Sequence, residues 1–186
     1  MSEHIVGVEP KVYNGRKYRS TLEANTAQIL DAMGLPWEYE NKKITLQEGF
    51  RCQYQKEKVR SIEYIPDFTI GPIMLETKGF ETPDWKIKKK LLYKYLTENE
   101  PDAIFYMVKN HKQLLESLDN HWQFLGYAIQ VTPQKKEAVP VMYDSIAQAM
   151  QDLGLKGKST TPILRTLIGQ KPHAYGYNFK LVKLSL

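Results

Sequence analysis

The chain has 186 residues, 42% hydrophobic and 25% charged, an ordinary globular composition that suffices for one sizeable core or a core with a small appendage. Its apolar runs fall far short of the roughly 20 residues that span a bilayer, and Met1 to Glu9 lacks the apolar stretch of a signal peptide, so an intracellular, soluble protein with no membrane partner is expected. The net charge of +5 suits a polyanionic partner, and the single cysteine, Cys52, excludes an internal disulfide and a cysteine-built zinc cage.

In chain order, Tyr18-Arg19-Ser20-Thr21-Leu22-Glu23 opens a helix. Leu22, Thr26, Ile29, Leu30 and Met33 recur at helical spacing, and Gly34 followed by Pro36 ends the pattern. Trp37 to Leu46 reads as extended, and Gly49 to Ser61 as a polar loop or irregular hairpin. A strand is predicted over Ile62–Ile70, then a Gly71-Pro72 turn, then a strand from Ile73 to Lys78 that stops at Gly79. Asp84 is the predicted N-cap of a helix running to about Glu98, with Pro101 beyond its end. A strand at Ala103–Val108, a helix at His111–Leu118 and a strand at Tyr127–Val131 follow.

Residues 132–138 are polar, contain Pro133 and show no periodicity, so they read as a linker. Beyond it, Val139–Tyr143 is extended, Ser145–Leu153 and Pro162–Ile168 are helices around a glycine-containing turn, and Tyr175–Leu184 is extended again. Helix, turn, helix is the grammar of a DNA-reading motif. The segment is also the denser basic one: residues 139–186 hold 6 Lys and Arg against 2 Asp and Glu, whereas residues 1–138 hold 20 against 19.

The residues that carry chemistry are Asp67, Glu76 and Lys78. In a strand, positions two apart share a face, so Glu76 and Lys78 project together while Leu75 and Thr77 turn away. Antiparallel pairing across Gly71-Pro72 brings Asp67 alongside them. Two carboxylates and an ammonium on one patch are costly to bury without a partner. A hard divalent cation removes that difficulty, because Mg²⁺ takes one or two carboxylates together with waters and phosphate oxygens. Gly157-Lys158-Ser159 is not a phosphate-binding P-loop, since the position of that motif's first glycine is Asp152. The histidines at 4, 111, 121 and 173 lack metal-binding spacing.

With these residues in place, the chain resembles the PD-(D/E)XK nuclease superfamily, and within it the phage endonuclease I type of Holliday-junction resolvase. The likeness runs from Tyr18 to Lys109. It rests on Ser20-x-x-Glu23, Trp37-Glu38-Tyr39-Glu40, Tyr64-Ile65-Pro66-Asp67-Phe68 and Leu75-Glu76-Thr77-Lys78-Gly79. The resemblance implies an α/β (α+β) fold with a restriction-endonuclease-like mixed sheet flanked by helices. It implies Asp67 and Glu76 as ligands of Mg²⁺ or Mn²⁺, Lys78 as the catalytic lysine, and Glu23 as the carboxylate completing the metal site. Glu23 also fits a capping box with Ser20, and Glu40 or Glu38 is a fallback third carboxylate.

Residues 139–186 resemble the nuclease-associated modular (NUMOD) domains of homing endonucleases. The residues behind this are Val141-Met142-Tyr143, Ser145-Ile146-Ala147-Gln148-Ala149, Leu153-Gly154-Leu155, Ile163-Leu164-Arg165-Thr166-Leu167 and Gly176-Tyr177-Asn178-Phe179. That likeness implies a small helix-turn-helix-like C-terminal domain, with Lys158, Ser159, Thr160 and Arg165 at the start of a recognition helix. A nuclease domain over 1–131, a linker over 132–138 and a DNA-binding domain over 139–186 are therefore expected. Lys86, Lys90 and Lys94 form an i, i+4 ladder suited to phosphate contact, and Arg16, Lys17 and Arg19 are candidates to flank the same cleft. The expected activity is site-preferring cleavage of double-stranded DNA, as in phage or mobile-element homing enzymes. The alternatives are a resolvase acting on branched DNA and a DNA-binding protein without catalysis. Both enzyme types usually act as dimers, so a homodimer is expected.

Overall fold

The computed structural model describes residues 11–54, 56–135 and 137–185; Met1 to Glu9, read above as free of a leader, lie outside them, as does His4. In chain order the elements are β1 (Lys11–Tyr13), β2 (Arg16–Tyr18), α1 (Thr21–Ala32), β3 (Glu38–Tyr39), β4 (Ile44–Gln47), β5 (Phe50–Arg51), β6 (Lys58–Val59), β7 (Ile62–Tyr64), β8 (Phe68–Ile70) and β9 (Ile73–Thr77). There follow α2 (Pro83–Asn99), β10 (Ile104–Val108), α3 (His111–Asp119), β11 (Tyr127–Pro133), β12 (Val141–Tyr143), α4 (Ile146–Asp152), α5 (Thr161–Leu167) and β13 (Tyr177–Lys183). The architecture is mixed α+β. Among the described residues no helix is long and apolar enough to cross a membrane.

The chain forms two compact units, one made of the residues up to Leu35 and from Asn110 onward, the other of Pro36–Lys109. The second unit carries a four-stranded sheet in the order β10-β9-β8-β3. Strands β8 and β9 are an antiparallel hairpin with Ile70 opposite Ile73, and the two-residue turn between them needs the left-handed conformation that Gly71 adopts at φ +55°. β9 and β10 are parallel, so the chain must cross over between them, and α2 is that crossover. All five residues of β9 are buried, which explains its near-continuous apolar run, because a strand covered on both faces has no polar side to show. Leu92, Leu96 and Trp85 of α2 pack with Met74, Ile44 and Tyr64 in one core.

The strand expected over Ile62–Ile70 is two strands. β7 pairs with β4, whereas β8 pairs with β9 and β3. The break falls at Ile65-Pro66, where proline has no N–H to give to a ladder. The N-cap of α2 is Thr82, whose hydroxyl accepts from Trp85 N, and Pro83 occupies the first turn. Asp84, expected as the cap, lies inside the helix; proline favours the first helical position, so the cap is the residue before it.

In the other unit, α1 begins at Ser20 as expected, and β11 is the central strand of a sheet ordered β12-β11-β13. This changes the expected division of the chain. Thr132 and Pro133 do not open a linker but continue β11, opposite Asn178 and Tyr177 of β13. The segment from 139 onward therefore shares its sheet with residues 127–133 and belongs to the same compact unit. Asp119, buried at the end of α3, strengthens this junction. Its carboxylate accepts from Trp122 Nε1 at 2.9 Å, from Ile146 N at 2.6 Å and from Ala147 N at 2.9 Å. The last two are N–H groups of the first turn of α4, which no intrahelical acceptor reaches; Ser145 caps the next one, from Gln148.

Candidate active site

The β8–β9 register pairs Phe68 with Leu75, so Asp67, one residue earlier, falls opposite Glu76. Both carboxylates are only 8% exposed. Asp67 Oδ2 accepts from Thr77 N at 2.6 Å and from Thr77 Oγ1 at 2.7 Å. Thr77, expected to turn away, still reaches Asp67, which stands just outside the regular pairing that starts at Phe68. Glu76 Oε2 accepts from the Tyr64 hydroxyl at 2.9 Å, and Glu76 Oε1 is 3.5 Å from Lys78 Nζ. The Lys78 ammonium lies 4.4 Å from the centre of the Trp85 ring, an attractive cation–π arrangement. Its backbone N–H donates to Val108 O at 3.0 Å, carrying the β9–β10 ladder one residue past the strand.

The three groups predicted to act together are therefore brought together. Two carboxylates and one ammonium leave the patch with a net negative charge, and its donors are hard oxygens. That set fits Mg²⁺ or Mn²⁺, which favours carboxylate, carbonyl and water ligands. Among the described residues no group of three or more His, Cys, Asp or Glu side chains gathers as a metal cage. A two-carboxylate site is nevertheless the usual pattern for Mg²⁺, which keeps several waters and binds substrate phosphate.

Glu23 makes the contacts of a helix start. Its Oε1 accepts from the Ser20 hydroxyl at 2.9 Å and its Oε2 from Arg19 N at 3.0 Å, while Ser20 Oγ accepts from Glu23 N at 3.1 Å. This is a variant of the capping box, in which the glutamate returns to the Arg19 N–H and the Ser20 hydroxyl. Glu23 lies in the first unit, whereas Asp67, Glu76 and Lys78 lie in the second. Of the two fallback carboxylates, Glu40 is the one tied to Asp67, through its backbone N–H to Asp67 O at 3.0 Å. Glu38 is exposed and accepts from Asn41.

Tyr64 and Trp85 belong to this site and were not among the predicted residues. Burial and the adjacent Glu76 carboxylate push the Tyr64 phenol far above its ordinary pKa, so it remains a neutral donor. The available signal was position: Tyr64 stands three residues before Asp67, and Trp85 follows the first proline after Lys78.

Lys86 and Lys90 are exposed on α2. Lys94, also exposed, lies 3.9 Å from Glu98. Lys88 donates to Glu63 O at 3.2 Å and Lys89 pairs with Glu81 at 2.7 Å, holding the Glu81 carboxyl below its usual range. In the first unit, Arg16 and Lys17 are exposed on β2, and Arg19 is exposed before α1. Lys158 is exposed in the turn before α5. Ser159 Oγ accepts from Thr161 N, and its carbonyl from the Tyr175 hydroxyl. Thr160 is the N-cap residue, without a side-chain capping bond. Arg165, expected at the start of this helix, is instead exposed in its last turn, because α5 spans only Thr161–Leu167. Compared with protein-family models, with curated proteins and with solved structures, the chain matches none.

Proposed function

We propose that the protein is a magnesium-dependent DNA endonuclease of the PD-(D/E)XK type. The observation carrying this reading is the joint placement of Asp67, Glu76 and Lys78 at one end of the β8–β9 hairpin. In this role Asp67 and Glu76 hold Mg²⁺ or Mn²⁺. When bound, the ion supplies Lewis acidity toward a phosphate oxygen and lowers the pKa of a water. Lys78, steadied between Glu76 and the face of Trp85, presents an ammonium to the charge that develops on the phosphate. Tyr64 fixes one oxygen of Glu76, leaving the orientation of that carboxylate little freedom. Lys86 and Lys90 supply exposed cations for phosphate contacts that set register without reading sequence.

Site preference of the homing-enzyme kind is assigned to Lys158, Ser159, Thr160 and Arg165, and two copies of the chain are needed to cut both strands. Because β13 pairs along the whole of β11, point substitutions at these residues are the appropriate probe. Deleting residues 139–186 would strip β11 of both neighbours. In the test, supercoiled plasmid incubated with the protein and Mg²⁺ is nicked or linearised, and EDTA prevents it. Intact plasmid with every divalent ion, alongside undiminished DNA binding, would point instead to a DNA-binding protein without catalysis.

Tyr64→Phe separates positioning from chemistry. It is expected to slow cleavage about 10- to 100-fold at limiting Mg²⁺, the range for losing a group that orients a metal ligand. Raising Mg²⁺ restores part of the rate. A deficit that is the same at all Mg²⁺ concentrations would contradict a positioning role.

A further inference from the structure

A cleft of about 520 Å³ opens within the first unit, inside the range of roughly 300–1,000 Å³ typical of ligand sites. Its two long walls are helix faces. On α1, Asn25, Gln28, Ile29 and Ala32 line it, at i, i+3, i+4 and i+7, which is one stripe of a helix. On α5, Thr161, Leu164 and Arg165, with the C-cap residue Ile168, line it at the same spacing. His111 and Lys112, at the start of α3, close one side, and Gln170 borders another.

The chemistry of this lining is selective. No carboxylate lines it, whereas Arg165 and Lys112 do. Lys112 shares its charge with Glu116 at 3.6 Å, both exposed, while Arg165 has no ion-pair partner among the described residues. Burial pushes the His111 pKa down, so at neutral pH the imidazole is a neutral donor and acceptor. The side-chain amides of Asn25, Gln28 and Gln170 match the donor–acceptor edges of bases. Ile29 and Leu164, both nearly buried, offer an apolar floor against which a flat ring can lie. Cations for phosphate, amides for an edge and aliphatic surface for a ring face describe a nucleotide.

We propose that this cleft receives one unpaired nucleotide of a DNA strand. A duplex presents its bases stacked and cannot enter a concave pocket; only a nucleotide that has left the stack can. The source of the ligand rests on the DNA-processing reading above, but the site is distinct from Asp67, Glu76 and Lys78, and it assigns Asn25, Gln28 and Lys112 a role alongside Arg165.

The test is fluorescence anisotropy of the full chain in EDTA, so that binding is read without metal-dependent cleavage. One labelled duplex carries a two-nucleotide bulge, and a second has the same flanks fully paired. The wild type is expected to favour the bulged probe by about tenfold, the scale of holding one unstacked base. The doubly substituted Gln28→Ala, Lys112→Gln protein, altered only at exposed positions, loses that preference and keeps its affinity for paired duplex. Equal binding of both probes by the wild type, or an undiminished preference in the variant, overturns the proposal. So does an equal loss for both probes, which makes Lys112 a general phosphate contact. Displacement of neither probe by a large excess of free deoxyadenosine monophosphate is expected. Displacement at low concentration identifies free nucleotide as the ligand and also overturns the assignment. A wild type that prefers the bulge yet cleaves nothing with Mg²⁺ rejects the nuclease and leaves the cleft standing.

Discussion

Asp67→Asn is expected to reduce Mg²⁺-dependent cleavage by about a thousandfold or more while the protein stays folded, since metal stabilisation of a transition state is worth several kcal/mol. The substitution separates charge from hydrogen bonding. Asp67 Oδ2 accepts from Thr77 N and Thr77 Oγ1, and an asparagine carbonyl oxygen accepts from both in the same position. The end of the β8–β9 hairpin therefore keeps its geometry. What is lost is one of the two negative charges proposed to face the metal. Relief of repulsion with Glu76 offsets part of the weaker hydrogen bonds, so the melting temperature is expected within about 4 °C of the parent, the equivalent of about 1 kcal/mol for a chain of this size. Single-turnover cleavage and a thermal melt on the same preparation check both halves. Cleavage within threefold of wild type would remove Asp67 from the metal site.

Asp119→Ala has the largest expected effect on stability. The side chain is 9% exposed and takes three donors, one from the indole of fully buried Trp122 and two from the first turn of α4. Truncation leaves all three without an acceptor, and each buried unsatisfied group costs roughly 1–3 kcal/mol. Water reaches some of them once the carboxylate is gone, so a total near 4 kcal/mol is expected. That is a large part of the roughly 5–15 kcal/mol available to a folded domain. The melting temperature is expected to fall by about 8–16 °C. Asp119→Asn keeps one acceptor oxygen and is expected to lose less than alanine. A chemical-denaturation midpoint unchanged by Asp119→Ala would mean that α4 is not held to α3 by this carboxylate.

The two predictions differ in how far the sequence announces them. Asp67 opposite Glu76 is readable because every step is local: the period of two along a strand, a two-residue turn that needs Gly71, and an apolar run bounded by Gly79. The same locality revealed the Ser20–Glu23 pairing, which the structure realises with the Arg19 N–H in place of the cap's own N–H. Proline supplied signals that the strand assignment did not use. Pro66 divides β7 from β8, and Pro83 moves the cap of α2 from Asp84 to Thr82.

Asp119 was not legible, because its meaning depends on α4, which begins 27 residues later. Nothing in a polar residue at a helix end reveals that it will cap a different helix. The stretch 132–138 misled for a similar reason. Its composition is that of a linker, yet Thr132 and Pro133 are strand residues by virtue of Asn178 and Tyr177. Pairing across more than forty residues leaves no local trace. Trp85 was legible as an apolar residue of α2 but not as the surface beneath Lys78, since cation–π contacts have no sequence period.

The most direct measurement of the central claim compares wild type with Lys78→Ala on supercoiled plasmid, with Mg²⁺ and with EDTA. Lys78 is part-exposed and its ammonium is not buried structure, so the variant is expected to fold and to bind plasmid. Wild type is expected to convert the plasmid only with Mg²⁺, and Lys78→Ala to do so about a hundredfold more slowly or not at all, the scale for a group assisting proton transfer or charge stabilisation. Equal conversion by both proteins, or conversion in EDTA, would contradict a metal-dependent centre built from Asp67, Glu76 and Lys78.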